Sequence, residues 1–250
     1  MNRRDFLKGA GAAAAMVLAG GWLRAAEQKR KPNILFILAD DLGWRDTSPY
    51  GSTFFETPNI SRLAERGVLF TNAYSASPLC SPTRASIMTG LYPARIGITL
   101  PAGHLEETIL ESDLPEKAQP FFKALPARSA TRLKLDYNTV AEAFKAAGYR
   151  TGHFGKWHLG FEPYDPLHQG FDVEVPYKHS NVPGPAGGYL GPWQFWPGHG
   201  QPGEHIEDHM AEEAVKFIKD NKDRPFFLNY WAFSVHSPFG GKKDYIEKYR

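Results

Sequence analysis

The sequence predicts an α/β domain built on a mostly parallel sheet. Residues 33–39 (Asn-Ile-Leu-Phe-Ile-Leu-Ala) and 225–233 are continuous apolar runs without polar alternation, the pattern of strands buried on both faces. Between them lie capped amphipathic segments that stop at glycines, the pattern of helices packed on such a sheet. The third observation is where the polar residues fall: strand candidates end in Asp40-Asp41, in Lys156 and His158, and in His236. If these strands are parallel neighbours, the groups meet at one sheet edge, where open α/β folds bind ligands. At 250 residues the chain is long enough for one sizeable core.

Residues 1–26 stand apart. Asn2-Arg3-Arg4-Asp5-Phe6-Leu7-Lys8 is a twin-arginine pattern, and a mild Ala/Gly-rich run from Gly9 to Leu23 follows. That run is too short and glycine-rich to span a bilayer comfortably. Ala25 and Ala26 offer a small-residue cleavage region, so the segment reads as a Tat-type export signal with the periplasm or the exterior as destination. Removing it takes away four basic residues and one acid and moves the formal net charge from +2 to −1. Nothing basic then remains to argue for nucleic acid as a partner.

The 33–39 strand delivers Asp40 and Asp41. Adjacent acids repel unless a cation or donors lie between them, and hard oxygens suit Ca²⁺ or Mg²⁺; the same residues also make good turn chemistry. Thr57–Gly67 reads as a short helix with Ile60, Leu63 and Ala64 as its apolar face. Val68–Tyr74 is expected to be the next strand, leading to Cys80, the only cysteine. Ser81 suits a cap, Pro82 a first turn, and Gly90 a stop after Thr89. Cys80 then sits at a helix N-terminus, where free N–H groups favour an anion, thiolate or bound oxyanion. Arg84, one turn on, can point back at it. A free cysteine is equally often a small buried hydrophobe.

Leu100–Leu133 carries four prolines and reads as a surface insertion. Thr139 opens a helix with Val140, Ala143, Phe144 and Ala147 inward and Gly148 as its stop. Tyr149–Phe154 is a strand running into Gly155-Lys156-Trp157-His158-Leu159-Gly160. In an extended segment Lys156 and His158 share one side and offer a cation and an imidazole to an oxyanion; an exposed lysine and a core histidine are the plain alternative. Residues 170–203 fit no regular element, and Trp193, Phe195 and Trp196 suit a substrate-shaping loop or simple packing equally. In the helix 205–219, His205 and His209 stand at i, i+4 without a third metal ligand, so surface positions are expected. Lys243–Arg250 reads as another helix.

The combination resembles the sulfatases of the alkaline phosphatase superfamily, in particular the arylsulfatase A-like group. Cys80-Ser81-Pro82-Thr83-Arg84 matches their Cys-x-Pro-x-Arg signature. The strand ending in Asp40-Asp41, the Gly155–Gly160 segment and His236-Ser237-Pro238 occur around it in the family's order. The resemblance implies a three-layer αβα sandwich, with residues 27–250 as the N-terminal catalytic portion and the C-terminal part missing. It implies that a formylglycine-generating enzyme oxidises Cys80 to formylglycine, whose hydrate is the nucleophile, and that Asp40, Asp41 and this side chain hold a divalent metal, commonly Ca²⁺, with Mg²⁺ the alternative. Arg84, His158 and His236 would be catalytic, and Lys156 and His236 would bind sulfate. The substrate would be a sulfated small molecule or polysaccharide, and the Tat translocon a transit partner. The family's later Asp-Asn metal pair and second lysine have no counterpart here, so these 250 residues are expected to bind metal poorly and turn over little. A phosphonate or phosphate ester hydrolase of the same superfamily, and a non-catalytic anion- or carbohydrate-binding protein, are the alternatives.

Overall fold

The computed structural model describes residues 30–250 except 119 and 186; the export signal and its cleavage region lie outside the described residues. The elements are β1 (Ile34–Leu38), α1 (Pro58–Arg66), α2 (Cys80–Thr89), α3 (Pro93–Ile96), α4 (Val140–Ala146), β2 (Arg150–Gly155), β3 (Val173–Val175), α5 (Ile206–Asp220), β4 (Phe226–Trp231) and α6 (Lys243–Lys248). The strands form one sheet in the order β1-β4-β2-β3, with every neighbouring pair parallel. Leu38 is paired with Trp231 and Gly155 with Trp231, so the carboxyl ends of β1, β4 and β2 finish level.

Side-chain alternation divides the core into two layers. Phe227 and Trp231 of β4 pack with Ala85 and Met88 of α2, Ala141 of α4, and Trp157. Phe226 and Leu228 face the other way, onto Ile206, Met210, Ala214 and Phe217 of α5. Helices therefore cover the sheet on both sides, in three layers. The helix ends follow local chemistry. Thr139 and Glu142 form a reciprocal capping box at α4, and Gly90 closes α2 at φ 71°.

Four expectations need correction. Residues 68–74 form no strand; Val68, Phe70 and Tyr74 lie on the surface. An apolar run becomes a strand only against a neighbour that pairs its backbone groups, and no described strand lies beside it. The apolar face of α1 is likewise uncovered, with Ile60 and Leu63 exposed. β1 is buried on one face only: Ile34, Phe36 and Leu38 join the α2 layer, while Leu35 and Ile37 are exposed because α5 spans β4 and β2 but does not reach them. The stretch 170–203 holds a short strand, β3, completed by pairing with β2. Its aromatics Trp193, Phe195 and Trp196 are buried in the α5 layer, so packing, not substrate shaping, is what they do.

Gly155 is the tightest point of the sheet's edge. It adopts φ 99°, and a Cβ there would lie 1.9 Å from the carbonyl oxygen of Trp231. The Lys156 N–H donates to that same carbonyl at 2.9 Å, so neither strand can give way without losing the bond. Gly155→Ala is expected to destabilise the protein by about 2–4 kcal/mol in urea unfolding, whereas a change within a few tenths of a kcal/mol would show that the backbones separate freely.

Candidate active site

Three chain reversals at the carboxyl edge build the site. Leaving β1, the Asp40 N–H donates to the Ser234 carbonyl at 2.8 Å, and the Val235 N–H donates back to the Asp40 carbonyl at 2.6 Å. This laces the exit of β1 to the loop after β4. Glu207 of α5 holds that loop from behind: its Oε1 accepts the N–H groups of Phe233 and Ser234, each at 2.8 Å, and its Oε2 accepts the Tyr230 hydroxyl at 2.8 Å. The Tyr189 hydroxyl bridges the carbonyls of Phe233 and His236 at 2.8 and 2.7 Å. The β2 exit is pinned by Trp157, whose N–H donates to the Ser180 carbonyl at 2.7 Å.

At the centre is a buried charge cluster. Lys156, 0% exposed, donates from Nζ to Asp40 Oδ2 at 2.5 Å, and Arg84, 1% exposed, donates from Nη2 to Asp40 Oδ1 at 3.1 Å. Arg84 Nη1 also donates to the Lys156 carbonyl at 2.8 Å, and its guanidinium lies 4.9 Å over the Trp231 ring. Burial raises the Asp40 carboxyl, but the two cations outweigh it and hold the group below the usual carboxylate range. Burial likewise lowers Arg84, partly offset by Asp40.

Cys80 opens α2 as its first residue, with Leu79 at the cap, two residues before the expected cap at Ser81. It lines an open cleft together with Asp40, Asp41, Ser75, Ser77 and Arg84. Its thiol is not an activated thiolate: burial pushes it up, and the nearby Lys156 does not compensate. Asp40, Cys80 and His236 place ligand atoms within 4.8 Å of one another. Asp41, at φ 59°, turns outward with Oδ2 3.8 Å from His236 Nε2. Both oxygens of Asp40 are engaged by Lys156 and Arg84, and the third member of the clustered group is His236 rather than Asp41; carboxylate oxygens are the donor type that suits a hard divalent cation.

His158 departs from the extended geometry expected of it. It adopts φ 58°, so the period-2 argument for sharing a side with Lys156 does not hold, and the ring contacts His104, Nε2 to Nδ1, at 2.7 Å. Burial first, then Lys156, push its pKa down to about 2. His205 and His209 are separately engaged: His205 caps α5 by accepting the Glu207 N–H, and His209 Nδ1 lies 2.7 Å from Glu204. Sequence reasoning missed His104, Glu207 and Tyr189. The first lies in the stretch 100–133, which is not a plain surface insertion, since Arg132, Leu133 and Ala130 are buried; no periodic pattern marked it.

A buried cation pair lies beside a helix-start cysteine on the carboxyl edge of the parallel sheet of this α/β protein. The sulfatase family model matches residues 32–250, and the model of the twin-arginine translocation signal matches residues 1–20. The chain belongs to the sulfatase family, and its N-terminus carries a signal for Tat-pathway export to the periplasm or beyond. Human N-acetylgalactosamine-6-sulfatase is 34% identical over 89% of this chain and 43% of its own length, and human arylsulfatase A is 37% identical over 88% and 44%. The chain thus spans less than half the length of these relatives. Among solved structures, Ps i-CgsB in complex with k-i-k-neocarrahexaose has a TM-score of 0.64 at 29% identity, covering 88% of this chain and 49% of that one. BT4656 in complex with its substrate D-glucosamine-2-N,6-O-disulfate has a TM-score of 0.60 at 26% identity, covering 83% and 35%. Sulfatases generally use a divalent metal and a formylglycine.

Two outcomes follow from the burial. Asp40→Ala strands two desolvated cations and is expected to cost about 3–5 kcal/mol in chemical denaturation; a loss under about 1 kcal/mol would mean that water already screens the cluster. Burial also lowers His153, to about 3, with Arg84 adding to the effect. An unfolded imidazole protonates near about 6.5, so between these values the unfolded chain binds protons that folded His153 and His158 refuse. Stability should therefore fall as pH falls below about 6.5, by on the order of 1 kcal/mol per pH unit for each ring. His153→Gln should remove one ring's share of the slope, and an unchanged slope would assign it to other groups.

Proposed function

We propose that the protein hydrolyses sulfuric esters, releasing inorganic sulfate from a sulfated carbohydrate or aryl sulfate, with residues 27–250 as its catalytic portion. The observation that carries this reading is the position of Cys80, at the first turn of α2, in one cleft with Asp40 and Arg84, whose charges are tied to the buried Lys156 beneath them. The match of Cys80-Ser81-Pro82-Thr83-Arg84 to the family signature and membership of the sulfatase family support residue 80 acting as formylglycine, which a dedicated generating enzyme makes from cysteine. As a hydrate, that side chain supplies two hydroxyls on one carbon, one to attack sulfur and one whose deprotonation expels sulfate. Asp40 and Asp41, with residue 80, would hold a divalent cation, Ca²⁺ or Mg²⁺, which supplies Lewis-acid polarisation of a sulfate oxygen.

The chain's own residues do the rest. Lys156 brings a desolvated ammonium to the sulfate oxygens, where a fixed charge favours the developing anion. Arg84 has both terminal nitrogens committed, to Asp40 and to the Lys156 carbonyl, so it fixes the cluster's geometry and offsets its negative charge. His236, half-buried beside Asp41, would bind sulfate and protonate the leaving alcohol. His158, held neutral, would hydrogen-bond the hydrate and assist the elimination as an acceptor for its second hydroxyl. A sulfated sugar as the physiological substrate is supported by the D-glucosamine disulfate that BT4656 acts on.

In protein expressed from its complete gene, the peptide bearing residue 80 should be about 18 Da lighter than the thiol form, a change distinct from the oxygen-adding oxidations of cysteine. Sulfate release should vanish in Cys80→Ala and fall about 10²–10³-fold in Lys156→Met. Paired assays decide the alternatives: preference for phosphate or phosphonate esters would move the activity within the superfamily, and an intact thiol with no turnover would leave an anion-binding protein.

A further inference from the structure

Among the described residues, His104 is an imidazole in contact with a site residue that the reaction just described does not use. We propose that His104 is a positioning residue that fixes the ring tautomer of His158 through the 2.7 Å contact between His104 Nδ1 and His158 Nε2. The inference rests on the reading of His158 as the hydrogen-bond acceptor for the hydrate's second hydroxyl.

The contact is built into the fold. Gly103 packs so closely on the backbone of His158 that a Cβ would lie 2.0 Å from the His158 carbonyl oxygen. The Gly103 carbonyl accepts Asn181 Nδ2 at 2.8 Å and Arg132 Nη1 at 3.2 Å, and Arg132 Nη2 donates to the carbonyls of Leu105 and Glu106 at 2.7 and 3.1 Å. Both donors are buried, so the 103–106 turn is clamped from two sides with His104 at its tip. His158 is clamped too, since its carbonyl accepts the Ser81 hydroxyl at 2.7 Å, one residue from Cys80. The rings are tilted by 40° with centroids 4.9 Å apart, an edge-to-edge bond rather than a stack.

One hydrogen lies between these two nitrogens, and a neutral imidazole has only one to give. His158 Nδ1 is buried and has no protein partner. An orphaned N–H is costlier to bury than an orphaned acceptor, and the cations Lys156 and Arg84 nearby disfavour a further positive hydrogen there. The hydrogen therefore sits on His158 Nε2 and is donated to His104 Nδ1. This leaves a lone pair on His158 Nδ1, the form that can accept a hydrogen bond from a hydroxyl. With no acceptor at residue 104, His158 could place its hydrogen on Nδ1 and lose that capacity. The logic is that of a partner that holds an imidazole in one tautomer.

The test uses the complete, formylglycine-bearing protein, with wild type, His104→Ala and His104→Asn compared. Asn offers its Oδ1 close to where Nδ1 of His104 lies. ¹⁵N-resolved imidazole spectra should show His158 protonated at Nε2 in wild type and in His104→Asn, and shifted towards the Nδ1–H form in His104→Ala. For sulfate release, kcat should drop about 10–100-fold in His104→Ala with KM changed little, and recover in His104→Asn. A wild-type His158 protonated at Nδ1, or His104→Ala with unaltered spectra and kcat, would overturn the proposal. The spectra do not depend on turnover: a wild type that releases no sulfate strikes the proposed function, while the tautomer still answers for His104. Should His104→Ala fail to fold, the wild-type and His104→Asn spectra decide alone.

Discussion

The site hangs on one ion cluster. Asp40, Lys156 and Arg84 come from three different elements, the end of β1, the end of β2 and the first turns of α2, and meet with almost no access to water. Each charge is tolerable only because the others are there. That mutual dependence fixes the register of the sheet edge, since Lys156 reaches Asp40 across β4 only when β1, β4 and β2 finish level. It also fixes the position of α2, because Arg84 is tied to both Asp40 and the Lys156 backbone. A cleft whose walls are already charged and desolvated gives an incoming anion strong electrostatics with little rearrangement.

Around the cluster, the loops are held by carboxylates and hydroxyls rather than by their own secondary structure. Glu207 uses both oxygens on the segment leading to His236, and Tyr189 closes the same segment from the other side. Glu207 stands in the first turn of α5, where the helix dipole favours a negative charge. The placement of His236 is therefore decided by a helix that packs on the opposite layer of the sheet. The 103–106 turn repeats the principle with the charges reversed, Arg132 satisfying three carbonyls at once.

The distribution of apolar surface separates two parts of the molecule. Between α2 and β4 two clusters of large side chains are buried, although others there, Tyr92, Leu114 and Phe121 among them, lie on the surface. Along α1, residues 68–74 and the outer face of β1 large side chains are exposed. The same composition thus gives a dense core where helices lie on both faces of the sheet and an uncovered surface where none does. Backbone pairing follows the same boundary, because β1 has β4 on one side and no described strand on the other.

What the sequence determined by itself was local or periodic. Unbroken apolar runs marked β1 and β4, the segment between the Gly148 stop and Gly155 marked β2, and the helices between them pointed to a parallel arrangement. Thr139 and Gly148 bracketed α4, and Gly90 ended α2, because capping and left-handed turns depend on residues a few positions apart. Asp40, Asp41, Cys80, Arg84, Lys156, His158 and His236 were all legible as candidates from strand ends and a five-residue signature. Only the tertiary structure decided what touches what. A strand at 68–74 was not decidable from its own residues, since pairing is a property of two segments. Nor was the left-handed turn at His158, which is set by Gly103 pressed against its carbonyl, nor the partnership with His104, 54 residues away in a stretch without pattern. Sequence periodicity reports which face of an element is buried; it carries no term for contacts between loops, and in this protein loops orient the rings on which the proposed chemistry depends.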